Sequence, residues 1–137
     1  MNPSTAGRLS GLSELVLALI LISAVLTFAA PCPPKEDGSF MLCHWAAQVV
    51  ALMGGLIAVL ALLRLILSRS RLAPGLSLAV ALTSLCSALV PNLVIPLCMV
   101  TDMRCHALTR PFTLVLCALL VLIALLDVYR QSRARAA

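Results

Sequence analysis

Most side chains in this sequence that could carry chemistry fall in two short segments. One reads CPPKEDGSFMLCHW (Cys32–Trp45) and the other CMVTDMRCH (Cys98–His106). Each contains a Met-x-Cys-His run, Met41 to His44 in the first and Met103 to His106 in the second. Together they hold four of the six cysteines and both histidines. Three chemistries suit such a set. Cys32–Cys43 and Cys98–Cys105 could close two disulfides on an oxidising membrane face, each stabilising by about 3 kcal/mol for a short loop. Four cysteines allow three connectivities, and the matching layout of the two segments favours pairing within each. Alternatively Cys43, His44, Cys105 and His106 could ligate copper, zinc or haem iron, which accept thiolate and imidazole. The third possibility is thiol–disulfide exchange with membrane quinones.

Spacing separates these possibilities. Ten residues lie between Cys32 and Cys43, and six between Cys98 and Cys105. Neither matches the C-x-x-C of a zinc ribbon or thioredoxin, or the C-x-x-C-H of covalent haem. The disulfide brace is therefore the leading expectation. It requires no cofactor and assigns no catalytic residue; copper, zinc and haem belong to the alternative. Taken singly, His44 and His106 read as interfacial residues bonding exposed helix ends. Trp45 reads as an interface anchor, and Cys86 and Cys117 as small packing residues within helices.

The elements that must position these segments follow from composition. The chain is 62% hydrophobic and 11% charged, against about 45–50% and about 25% in soluble domains. Four apolar stretches stand out: Leu12–Ala30, Trp45–Leu67, Ala73–Leu97 and Thr109–Val128. Each approaches the roughly 20 residues that a helix needs to cross about 30 Å of hydrocarbon. The expected fold is all-α, a polytopic membrane four-helix bundle forming a single transmembrane domain over residues 1–137. Pro91 and Pro96 should kink or unwind the end of the third helix. The net charge of +5 is spread over separate basic residues with only 4% aromatics, so no nucleic-acid surface is expected.

The basic residues report orientation instead. Seven of the ten (Arg8, Arg64, Arg69, Arg71, Arg130, Arg133 and Arg135) fall on one side of the four stretches, and Lys35, Arg104 and Arg110 on the other. By the positive-inside rule both termini are cytoplasmic and the Cys/His segments extracytoplasmic. Residues 1–29 could also be read as a cleaved signal peptide, but an internal repeat argues for a retained helix. Gly11–Leu26 and Gly75–Val90 are identical at seven of sixteen positions, at an offset of 64. Repeat one covers residues 11–67 and repeat two residues 73–130. Each reads as a helical hairpin, and the two hairpins should be related by a pseudo-two-fold axis along the membrane normal. Rows of small residues should let helices approach closely: Ala47, Ala51 and Gly55 on the second helix, Gly75, Ala79, Thr83 and Ser87 on the third. Thr109, Thr113 and Cys117 form such a row on the fourth. Glu14, Arg64 and Asp127 lie near the arginine-rich helix ends, where they read as interfacial anchors able to snorkel or pair. None is expected at the midplane, so an ion-coupled carrier is not indicated.

The two loops resemble those of the bacterial membrane family catalogued as domain of unknown function 4418. Cys32, Glu36, Asp37, Gly38, Cys43, His44 and Trp45 carry the likeness in the first loop, and the paired cysteines in the second. The resemblance covers nearly the whole chain. It implies a multi-pass protein of the bacterial cell membrane and, as a partner, an ABC-type export system. Lipid is the expected surroundings, and self-association is the other route to burying lateral surface. The functional expectation is a non-enzymatic accessory or interaction protein with disulfide-braced outer loops.

Overall fold

The computed structural model describes residues 3–30, 33, 36–68, 70, 72–96 and 105–136. Among these residues the fold is all-α. Helix α1 spans Pro3–Leu26, α2 Leu42–Ile66, α3 Ala73–Leu89 and α4 Arg110–Ala136. Short π-helical turns follow α3 (Val90–Val94) and precede α4 (Cys105–Thr109). Three segments, Gly7–Leu26, Leu42–Ile66 and His106–Arg133, are long and apolar enough to cross a membrane. With 17 residues α3 is shorter, about 26 Å at 1.5 Å per residue.

The shortness of α3 follows from its two late prolines. Pro91 has no N–H to donate, and the chain widens into a π turn in which the Ile95 N–H reaches the Val90 carbonyl at 3.1 Å. Ile95, directly before Pro96, adopts an extended backbone (φ −118°, ψ 114°), as a residue preceding proline must. The expected break in the third stretch is therefore a π turn followed by an extended residue. Pro74 sits instead in the first turn of α3, where the missing N–H costs nothing, and Pro111 follows directly on the π turn Cys105–Thr109.

The helices form a closed ring of four. α1 packs most closely on α2 and α3 on α4; α2 against α3 and α1 against α4 complete the ring, with the α1–α4 seam the thinnest. The packing period is visible in what is buried. On α2 the buried positions include Cys43, Ala47, Val50, Gly54, Ile57, Ala61 and Arg64, alternating steps of four and three. On α3 they include Ala73, Ser77, Val80, Ser84 and Ser87. This 3.5-residue repeat is the signature of knobs-into-holes packing between gently supercoiled helices.

The tightest approach falls at Gly54. A Cβ placed there would lie 2.8 Å from Ile22 Cγ1, so α1 and α2 can close only over a glycine. The four-spaced row expected from sequence drifts off this face. Ala47 is buried, but Ala51 and Gly55 are half-buried and a Cβ at Gly55 would meet nothing within 4 Å. Gly75 is exposed, and Ala79 and Thr83 are half-buried. On α2 and α3 steps of four lag behind the 3.5-residue seam, whereas the four-spaced row Thr109, Thr113 and Cys117 of the fourth stretch is buried throughout.

Candidate functional site

The interior of the bundle holds a group of charged side chains. Glu14 is 0% exposed, Arg64 1% and Asp127 3%. Each occupies a core-facing position of its helix. Glu14 continues the Ala18–Leu21–Val25 face of α1, Arg64 the Ile57–Ala61 face of α2, and Asp127 the Leu120–Ala124 face of α4. Arg64 also lies in the last turn of α2, where the helix dipole favours a cation.

The geometry is that of a clasp. Arg64 Nη1 donates to Glu14 Oε2 at 2.5 Å. Arg64 Nη2 donates to Asp127 Oδ2 and, at 2.7 Å, to Ser10 Oγ. Ser10 Oγ also lies 2.9 Å from Asp127 Oδ1 as its donor. Ser77 Oγ donates to Asp127 Oδ2 at 3.3 Å, and Gln131 Nε2 donates to the same oxygen. The guanidinium thus links α1, α2 and α4 directly, and Ser77 brings in α3. A single unpaired charge in such a place would cost many kcal/mol; the cross-helix pairing and the added hydroxyl bonds offset that cost. Of the two behaviours expected of these residues, pairing is what the structure shows, and the interfacial-anchor reading is corrected. They do not snorkel to water, because their helical phase aims them at the bundle axis. A layer of Ala18, Ile57, Val80, Leu120 and Ala124 seals the clasp from the rest of the interior.

On one side the clasp is accessible. A cleft of about 300 Å³ runs along the thin α1–α4 seam, lined by Ser10, Ser13, Leu126, Asp127 and Arg130 among others. Further along the bundle, Ser84, Ser87 and Thr113 bury hydroxyls that have no hydrogen-bond partner among the described residues. Buried hydroxyls of this kind are commonly satisfied by internal water.

The Cys/His end is built differently. Cys43 is buried in the first turn of α2. His44, half-buried, stacks on Phe40 with ring centroids 4.2 Å apart and meets Trp45 edge-on at 5.8 Å. Trp45 itself is exposed, as an anchor would be. Just before α2, the Asp37 carboxylate accepts bonds from the Ser39 hydroxyl (2.7 Å) and Ser39 N–H (3.0 Å). These bonds, the side-chain one first, hold the Asp37 carboxyl below the ordinary aspartate range. Gly38 within this turn has a φ of 78°, a conformation most residues avoid. On the other hairpin, Thr109 Oγ1 donates to the Ala29 carbonyl at 2.8 Å, and Phe28 meets Phe112 edge-to-face at 5.0 Å. His106 is half-buried in the turn that leads into α4. Cys32 and Cys98 lie outside the described residues, as does the side chain of Cys105. Among the described residues no three Cys, His, Asp or Glu side chains converge as metal ligands would. Of the two mid-helix cysteines, Cys117 is a buried packing residue as expected, whereas Cys86 is exposed.

With this geometry in hand, the comparisons with known proteins decide the family. The family described as "Domain of unknown function (DUF4418)" matches residues 14–130. The chain belongs to the DUF4418 family. The matched span of this DUF4418 chain begins at Glu14 and ends at Arg130, so it takes in all three clasp ions and both Cys/His segments. No curated protein and no solved structure matches it.

Proposed function

We propose that this DUF4418 protein is a non-enzymatic membrane accessory subunit that offers a rigid four-helix surface to a membrane-protein partner. One observation carries the reading. Arg64 spends both terminal nitrogens on Glu14, Asp127 and Ser10, so the interior charges are committed to joining the helices. A bundle tied in this way holds its lateral faces in fixed register. Those faces carry large apolar side chains, including Leu52 on α2 and Leu93 beyond α3. Helices in lipid recognise each other through fixed packing surfaces, since the bilayer gives no hydrophobic drive for association.

In this proposal the arginine-rich ends are cytoplasmic and the protein sits in a bacterial cell membrane. Cys32–Cys43 and Cys98–Cys105 brace the outer loops, and an ABC-type export system is the partner suggested by the family resemblance. The burial of Cys43 at the start of α2 suits a brace that fixes the loop to the helix.

Two experiments test the proposal. A photo-crosslinking residue at Leu52 or Leu93, activated in native membranes, should give a discrete adduct that mass spectrometry identifies as a transport-system subunit. Adducts to lipid alone at both positions would contradict an accessory role. Peptide mapping without reduction should recover the two within-loop disulfides. Four free thiols, or a stoichiometric metal on the same sample, would replace the brace with the copper, zinc or haem alternative.

A further inference from the structure

The clasp contains two carboxylates and one guanidinium. Among the described residues no other charged side chain bonds to it. α1 contributes Ser10 and Ser13 beside Glu14, α2 only Arg64, α3 only Ser77, and α4 Gln131 beside Asp127. Arg130 stands at the mouth of the cleft and Arg8 lies earlier on α1, and both are exposed, so water and salt screen them. Arg69 and Arg71 lie outside the described residues. Left as ions, the three buried groups would carry one uncompensated negative charge in a low-dielectric interior, which is far more expensive than a neutral acid.

The two carboxylates are not equivalent. The oxygens of Asp127 face four donors, from Arg64, Ser10, Ser77 and Gln131. Oδ2 already accepts from the Arg64 guanidinium and the Gln131 amide, and Oδ1 lies against the Ser10 hydroxyl. Glu14 Oε2 accepts from Arg64, but Glu14 Oε1 is buried and has no partner among the described residues. It is the oxygen in the clasp with room for a hydrogen. The cleft along the α1–α4 seam supplies a route from outside to the Ser10 and Asp127 side of the cluster.

We propose that the clasp is a proton-binding site, in which Glu14 carries one exchangeable proton taken up from water through the α1–α4 cleft. Uptake takes the cluster from a charge of −1 to neutrality, and release leaves the carboxylate paired to Arg64 alone. The site stands whether or not the accessory role above is correct.

The test is infrared spectroscopy of the full chain in phosphatidylethanolamine/phosphatidylglycerol vesicles at neutral pH. The expected result is a carbonyl stretch of a protonated carboxyl. It should shift when glutamate, but not aspartate, is labelled with ¹³C at the carboxyl, and vanish in Glu14→Gln. The sequence has one other glutamate, Glu36, which is exposed in the first loop. The Leu126→Trp variant, which fills the cleft, should slow hydrogen–deuterium exchange of the band severalfold. Absence of the band in the wild-type protein, or its shift on aspartate labelling, would overturn the site. Both readings use the unsubstituted chain and do not depend on a variant folding. Unchanged exchange in a folded Leu126→Trp variant would overturn the cleft as the route.

Discussion

At one end of the bundle Arg64 is bound by Glu14, Asp127 and Ser10, with Ser77 drawing in the remaining helix. At the other end the hairpins meet through neutral contacts: an apolar core that joins Leu21, Val25 and Val50 to Val90, Leu116 and Cys117, the Thr109 hydroxyl on the Ala29 carbonyl, and Phe28 against Phe112. The first end is held by charges whose separation would strand a buried ion. Among the described residues the second is held by an apolar core of Leu21, Val25, Ala46, Ala47, Val50, Val90, Leu116 and Cys117, with one neutral hydrogen bond and one ring pair beside it. This difference places the cooperative lock of the fold at the charged end, and it leaves the loop end as the part that covalent bracing can most affect.

Substitutions that disturb each end should rank accordingly. Arg64→Leu leaves the buried acidic pair without its cation and should cost about 3–5 kcal/mol in equilibrium unfolding from mixed micelles. Arg64→Lys should recover only part of this, because an ammonium cannot reproduce the fork that reaches Glu14 and Asp127 together. Between the two ends, Gly54→Ala pushes a Cβ against Ile22 and should cost about 1–3 kcal/mol. Gly55→Ala, with open space beside it, should be neutral or slightly stabilising in the same assay. Equal effects at the two glycines would remove the close α1–α2 approach from the account. At the loop end, Thr109→Val should cost about 1 kcal/mol, the worth of one hydrogen bond. A loss as large as that of Arg64→Leu would reverse the comparison. The smallest effect belongs to Asp37. Its folded carboxyl titrates below the ordinary aspartate range, so the Ser39 bonds favour the turn above that range and are lost as pH falls through the folded value. Carbon-detected NMR titration should place the Asp37 midpoint below that of an unstructured aspartate.

The contrast between the ends also shows what could be read in the sequence. The four helices were legible because composition and stretch length are bulk properties, and the bilayer tolerates little else. The break at Pro91 and Pro96 was legible because a missing N–H is a local fact. The Cys/His end stood out because it occurs twice. The clasp lay hidden for the opposite reason: it breaks the repeat. At the offset of 64 Glu14 aligns with Leu78, and at the loop offset of 62 Arg64 aligns with Leu126 and Asp127 with Leu65. The first hairpin supplies Glu14 and Arg64, and the second Asp127 and Ser77. A signal was nevertheless present. Followed in steps of three and four, Ile57 and Ala61 lead to Arg64, and Leu120 and Ala124 lead to Asp127, so each charge lies in phase with the buried seam. Small residues spaced by four pointed instead to Gly55, one position from the glycine that closes the packing. The distance of a charge from a helix end says less about its exposure than its phase does, because helix ends in a bundle remain covered on the inner side.

The measurement that tests the clasp most directly is a double-mutant cycle between Arg64 and Asp127, using Arg64→Leu, Asp127→Leu and the pair, with unfolding free energies measured in mixed micelles. If the two residues form a buried lock, each single variant is strongly destabilised and the double variant recovers a large part of the loss, a coupling of about 1–3 kcal/mol. Additive losses with no coupling would mean that both charges reach water separately, and would return them to the role of interfacial anchors.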